Sequence, residues 1–245
     1  FSFADYMNPA NGNFGVLRVM NDDLVQPKRG FGAHPHRNAE ICTYVVDGEL
    51  THQDSMGTEE TLSRGAIQFM TAGRGISHSE HNLNDKDPLR FIQIWIQPRQ
   101  SSLTPNYGSY RGDKVERRDR WAHLVSDVEA SEVKTPIKIQ QDANIFVTEF
   151  TIGKTVEFEI RAGRQAYLIC LEGNVKIVGS NGQEVGLSRH DGAELHGQLQ
   201  LSFTAISGDN KSGEPSRDRE TRQSRQVVHL LLVEMAATGS GRTDL

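Results

Sequence analysis

Two short stretches of this 245-residue chain concentrate side chains able to hold a metal ion. The first reads Gly30-Phe-Gly-Ala-His34-Pro-His36-Arg-Asn-Ala-Glu40, and the second Thr71-Ala-Gly-Arg-Gly-Ile-Ser-His78-Ser-Glu80-His81-Asn82. Side chains of an extended segment alternate between faces, so an H-x-H pair puts both imidazoles on one face and can bind one ion cis. His78 and Glu80 offer the same geometry from a second strand. Three imidazoles and a carboxylate suit Fe, Mn, Co, Ni, Cu or Zn, and leave positions open for an ion that takes five or six ligands. Glu40 also falls on the His34/His36 face if its strand is regular, so the spacing allows either glutamate as the fourth ligand.

Strands must position these groups. Short β-branched or apolar runs recur between Gly, Asn and Asp turns, at residues 14–19, 41–46, 91–96, 145–150, 166–171, 175–178, 199–203 and 227–233. Many short strands so spaced predict an all-β sandwich or barrel. Helical periodicity is confined to residues 119–125 and 126–131, where a turn or two is expected. A repeat organises the strands. Residues 41–50 (ICTYVVDGEL) and 166–175 (AYLICLEGNV) share a buried strand, an acidic-Gly turn and a second strand, and RGAIQF at 64–69 answers DGAEL at 191–195. We therefore expect two β-modules, residues 1–110 and 111–245, divided in the polar stretch 104–120. Aligning Gly173 on Gly48 sets Glu159, Arg161 and Gln165 where His34, His36 and Glu40 stand, so the second module is expected to lack metal ligands. Within it, residues 207–226 carry no hydrophobic side chain and read as a long solvated, mobile loop.

The motifs H-x-H-x3-E followed by Gly, and G-x-G-x2-H-x3-N, resemble the two motifs of the cupin superfamily. Two departures stand out: Gly73 replaces the usual proline, and the spacing to Gly48 is one longer. HPHRNAEICTYVVDGEL, THQDSMG and MTAGRGISHSEHN are similar to the pirin family, including bacterial pirin-like quercetinases, from Phe1 to about Tyr110. That resemblance implies a bicupin, two tandem double-stranded β-helix (jelly-roll) barrels packed together. It also implies His34, His36, His78 and Glu80 as ligands of one divalent metal, iron first among those above, whereas a generic cupin would use Glu40. Glu40 is then expected to orient an imidazole, and His52 and His81 to lie at the surface or behind the ligands. The implied activity is quercetin 2,3-dioxygenase-type cleavage of a flavonol or similar aromatic by dioxygen, with Glu80 accepting the substrate's proton. Phe31, Phe69, Met70 and Phe91, near the motifs, are candidate apolar walls. The alternative is an iron-dependent redox-sensing transcriptional co-regulator acting through a protein partner, and a third reading is a metal protein acting on another aromatic or enediol.

Composition narrows the classes. With 32 acidic against 27 basic side chains and no clustered basic run, direct nucleic-acid binding is not expected. No apolar run approaches the length of about 18 residues that a membrane helix needs. Cys42 and Cys170 lie inside apolar runs and read as buried small hydrophobes, consistent with a cytoplasmic protein (nuclear if eukaryotic). A monomer is expected. The chain opens at Phe1, which reads as a trimmed start and leaves targeting unknown.

Overall fold

The computed structural model describes residues 8, 11–207 and 227–237. The run expected to be a mobile loop lies outside the described residues except for residue 207. The described chain is built almost wholly of strands. In order these are β1 (Leu17–Val25), β2 (Gly30–His36), β3 (Glu40–Asp47), β4 (Glu49–Asp54), β5 (Glu59–Ser63), β6 (Ile67–Thr71), β7 (Ile76–His81), β8 (Leu89–Ile96) and β9 (Asn106–Tyr110). One helical turn, α1 (Lys114–Arg117), precedes β10 (Ala122–Asp127) and β11 (Ile137–Ile139). A second series follows: β12 (Ala143–Thr151), β13 (Thr155–Ile160), β14 (Arg164–Glu172), β15 (Asn174–Gly179), β16 (Glu184–Ser188), β17 (Gly192–His196), β18 (Leu199–Ile206) and β19 (Val227–Ala236).

Two compact units divide the described residues: those up to Asp113 together with Val125–Ala143, and Lys114–Leu124 together with Asn144 onward. The first unit has one sheet in the order β1-β8-β3-β6-β9 and another in the order β2-β7-β4-β5. In the second series β12-β19-β14-β17 and β13-β18-β15-β16 repeat that order strand for strand. Eight strands in this order are a jelly roll, two Greek keys folded over one core. The repeat seen in the sequence is thus a repeat of topology. Its signature is the acidic-Gly turn: Gly48 and Gly173 take φ of 79° and 80°. A Cβ at either would stand 2.5 Å from a carbonyl oxygen, that of Pro88 or of Val227, where the last strand enters. Only glycine tolerates both the left-handed backbone and the close approach.

The helix expected over 119–131 is not formed. Asp119 adopts φ 54°, ending α1, and Ala122, Leu124 and Ser126 are buried along β10, where residues 125–127 pair parallel with β11. The β-branched and apolar side chains of 124, 125, 137 and 139 are satisfied better by a ladder than by a lone turn of helix. Both cysteines are buried and unbridged.

Candidate metal centre

The first barrel is built in layers. At its base Val25, Val45, Leu50, Leu62, Ala66, Leu89 and Phe91 form an apolar cluster. Near the other end Ile41, Met70, Ala72 and Ile76 form a second cluster, with Trp95 and Tyr107 packed against it. Between the sheets sits a band of polar side chains, and this band contains the motif residues.

β2 and β7 pair antiparallel with His34 opposite His78 and His36 opposite Ile76. A register shift between Phe31 and His34 turns the two histidines inward. The rings of His34, His36 and His78 converge, with centroids 4.6–4.9 Å apart, and one nitrogen from each lies within 4.8 Å of the others. His34 Nδ1 lies 2.8 Å from the Gly32 carbonyl, which only accepts, so Nδ1 carries the proton and Nε2 keeps its lone pair. Burial and, second, repulsion from His34 lower His36 to about 4. Burial and then the neighbouring rings lower His78 to about 3. Both are neutral at pH 7, as metal-binding imidazoles must be. His78 Nε2 is buried with no hydrogen-bond partner in the protein. A buried orphan nitrogen is costly unless a ligand meets it, so these residues fit a metal ion.

Glu80 lies beside this trio rather than within it. Its oxygens fall within 4.8 Å of His52 and His78, but not of His34 and His36 as one group. Oε1 accepts from Thr43 (3.0 Å) and Gln68 Nε2 (3.0 Å), and Oε2 accepts from Gln93 Nε2 (2.8 Å). A carboxylate has about four lone-pair positions, so the three bonds leave one for an ion. Burial pushes Glu80 up to about 7, opposed by the bonds from Thr43 and Gln93 and assisted by the charge of Asp23.

Glu40 is placed elsewhere. β2 ends at His36, the chain reverses through Asn38 at φ 50°, and Glu40 opens β3 in the opposite sheet. Thr43 faces Glu80, so Glu40, three residues earlier, projects from the other side of β3. There its Oε2 accepts from the Thr71 hydroxyl (2.9 Å) and the Gln140 amide (3.3 Å). No imidazole is among these partners.

Of the two places expected for His52, at the surface or behind the ligands, it takes the second. It is completely buried, pairs across β4 and β7 with Glu80, and is stacked on Tyr107 at 4.6 Å and 18°. Its Nε2 meets Asp54 Oδ2 at 3.1 Å, while its Nδ1 lies 3.5 Å from His78 Nδ1. Burial raises Asp54, but the bonds from His52 and from the Thr58 and Met56 amides outweigh it and hold the carboxyl below its usual range. An ionised Asp54 puts the His52 proton on Nε2. His52 Nδ1 can then accept from His78 Nδ1–H, which aims the His78 Nε2 lone pair at the trio. The signal was available: His52-x-Asp54 obeys the same alternation as His34-x-His36. His81 is half-buried at the end of β7. Of the four candidate walls, Phe91 and Met70 face the barrel interior, Phe31 is exposed and edge-on to Phe91, and Phe69 faces away, against Gly108.

In the second barrel no metal-capable group is found among the described residues. Glu159 is exposed and pairs with Gln200, so it does not take the inward place of His34. β13 lacks the register shift of β2, so Val156, Phe158 and Ile160 face inward instead. They join an apolar filling that includes Leu168, Leu201, Phe203 and Leu230.

Two jelly rolls repeated in tandem, with motif histidines converging in the first, define a bicupin. The family model for pirin matches residues 1–96, and that for the quercetinase C-terminal cupin domain matches residues 124–210. Quercetin 2,3-dioxygenase of Escherichia coli K12 is 37% identical over 207 residues, covering 84% of this chain and 85% of that protein. A pirin-like protein of Caulobacter vibrioides is also 37% identical, over 206 residues and the same shares. Among solved structures, YhhW from E. coli superposes with a TM-score of 0.79 at 32% identity, over 98% of this chain and 90% of that one. A second structure, the bacterial pirin YhhW in complex with nickel(II), gives a TM-score of 0.78 at 31% identity, over 97% and 90%. The chain belongs to the pirin family. Among the described residues no helix is long and apolar enough to cross a membrane.

Proposed function

We propose that this chain is a metal-dependent oxygenase of the quercetin 2,3-dioxygenase type, holding one divalent transition metal, iron first, through His34, His36, His78 and Glu80. The observation that carries the reading is the convergence of three imidazoles, with the buried His78 Nε2 unpartnered, in a chain whose relatives include a quercetin 2,3-dioxygenase and a nickel-binding pirin. An ion held there supplies Lewis acidity, lowering the pKa of a hydroxyl chelated beside a carbonyl, as in a flavonol. The protein's own part is to seat and shield the reacting end of the substrate. Ile41, Met70, Ile76 and Trp95 exclude water from this end of the barrel. Glu80, raised toward neutrality by burial, accepts the flavonol proton, and Thr43, Gln68 and Gln93 fix its carboxylate. Dioxygen then adds to the ring, which opens with loss of carbon monoxide.

The test is metal analysis of the purified protein followed by aerobic turnover of quercetin. Wild type should bind about one ion per chain and consume quercetin with oxygen, and the His34→Ala/His36→Ala variant should do neither. A metal-loaded wild type without turnover, or equal turnover by both proteins, overturns the enzymatic reading.

A further inference from the structure

Two depressions open near His36, both in the first unit. One, of about 360 Å³, has Arg18, Arg37 and Trp95 in its wall. The other, of about 520 Å³, has His36, Arg37 and Arg74. They share Arg37 and adjoin where His36 meets Trp95 edge-on at 4.7 Å. Each is of the size that small-molecule sites occupy.

The described lining of both depressions is basic. The chain carries a net charge of −5, and three other arginines of the same unit are paired with carboxylates: Arg90 with Asp22, Arg99 with Asp127 and Glu129, Arg111 with Glu60. Among the described residues neither depression has an Asp or Glu in its lining. Arg18 and Arg37 form no ion pair among the described residues, and Arg74 has only the Thr104 hydroxyl at 3.4 Å. The Arg37 side chain is laid over the floor of the second depression, where a Cβ on Gly75 would touch its Nε at 3.6 Å. Three guanidiniums thus line the two adjoining depressions, Arg37 and Arg74 beside His36 and Arg18 beside Trp95, with no carboxylate in the described lining to neutralise them. Arginine is also the side chain that grips carboxylates in bidentate fashion and stacks on planar rings.

We propose that the physiological substrate is an anionic aromatic chelator, with its hydroxyl–carbonyl end toward His36 and a separate carboxylate or comparable anion held by Arg37 together with Arg18 or Arg74. The chelating end rests on the metal reading above, whereas the anionic end is read from the arginines alone. Arg18, Arg37 and Arg74 are on this view specificity determinants that select charged over neutral aromatics.

Two measurements separate these parts. First, metal-loaded protein is titrated with 3-hydroxyflavone and with its 4′-carboxylate, each followed by its own absorbance. The carboxylate should bind about tenfold more tightly at low salt, equivalent to about 1.4 kcal/mol. That advantage should shrink as ionic strength rises and vanish in Arg37→Ala/Arg74→Ala, while the neutral compound binds wild type and variant alike. Equal affinity of wild type for the two flavonols, or an advantage that survives in the variant, overturns the proposal. Second, benzoate is titrated into chelator-treated full-length protein and followed by the arginine Nε–H resonances. Shifts confined to Arg18, Arg37 and Arg74 support the anion site even if neither flavonol binds, a result that would count against the metal reading alone. No shifts, or shifts spread over all arginines, overturn the anion site whatever the flavonols do.

Discussion

At the scale of single residues, the trio's orientation is set from behind by groups that would never touch substrate. His52 Nδ1 stands 3.5 Å from both His78 Nδ1 and Gln68 Nε2, and its ring is fixed by Asp54 and Tyr107, an arrangement that can select an imidazole tautomer for a metal. His52→Ala should lower metal affinity by about 10- to 100-fold, measured by competition with a chromogenic chelator, while the far-UV spectrum is unchanged. His52→Gln, whose amide oxygen can accept the same proton, should recover part of the loss. An unchanged affinity in His52→Ala would remove His52 from this role. Glu40 makes a different prediction, about stability. Burial raises it from 4.5 to about 7 against the pull of its bonds from Thr71 and Gln140. Its protonated form therefore fits the fold better than its ionised form. The stability it contributes is full below its unfolded value and is lost as pH rises toward 7. Glu40→Gln should be more stable than wild type near pH 8, by on the order of 2 kcal/mol, and the gap should close near pH 4 in urea melts. A gap independent of pH would show that folding leaves the Glu40 carboxyl unshifted. The three histidines were legible because their spacing alone carries the chemistry. Placing Glu40 needed the reversal at Asn38, which a linear pattern does not display, whereas the alternation of His52 with Asp54 was legible and only its pairing with Glu80 waited on the β4–β7 register.

At the scale of elements, strand number and type were legible because apolar alternation and Gly turns are local signals. What was not legible is which strands face each other and where a register shifts. The shift between Phe31 and His34 in β2 decides that histidines point into the barrel. Its absence from β13 decides that Phe158 does so there, although a residue-by-residue alignment on the shared glycine would have chosen Glu159. The helix expected over 119–131 failed for a similar reason: β10 gains its partner β11 more than ten residues later in the chain. The shared turn itself gives a prediction for both barrels. Gly48→Ala and Gly173→Ala each force an L side chain into a left-handed backbone, at roughly 1–3 kcal/mol from conformation alone. The Cβ clash with the incoming last strand adds to that cost. Thermal melts should show comparable losses for the two variants, since φ and clash distance match. A negligible loss at either glycine would mean that its turn relaxes without cost.

At the scale of the whole molecule, one topology encloses two unlike interiors. In the first barrel a polar band lies between two apolar layers, held by bonds among Thr43, Gln68, Glu80 and Gln93. In the second the same eight-strand order closes over an apolar filling with no group of metal ligands among the described residues. Topology therefore fixes where a site can be, and side chains decide whether one exists. This difference makes the response to metal local. An ion that binds the native first barrel at a hundred times its dissociation constant stabilises it by about 2.7 kcal/mol. Hydrogen exchange of chelator-treated protein, with and without added metal, should therefore show slowed amides along β2, β7 and β4. Residues of β14 and β18, whose side chains line the apolar filling, should change little. Equal slowing in β14 and β18 would place an ion-holding group in the second barrel, contrary to the arrangement of its side chains, and no slowing in β2 and β7 would remove the ion from the histidine trio.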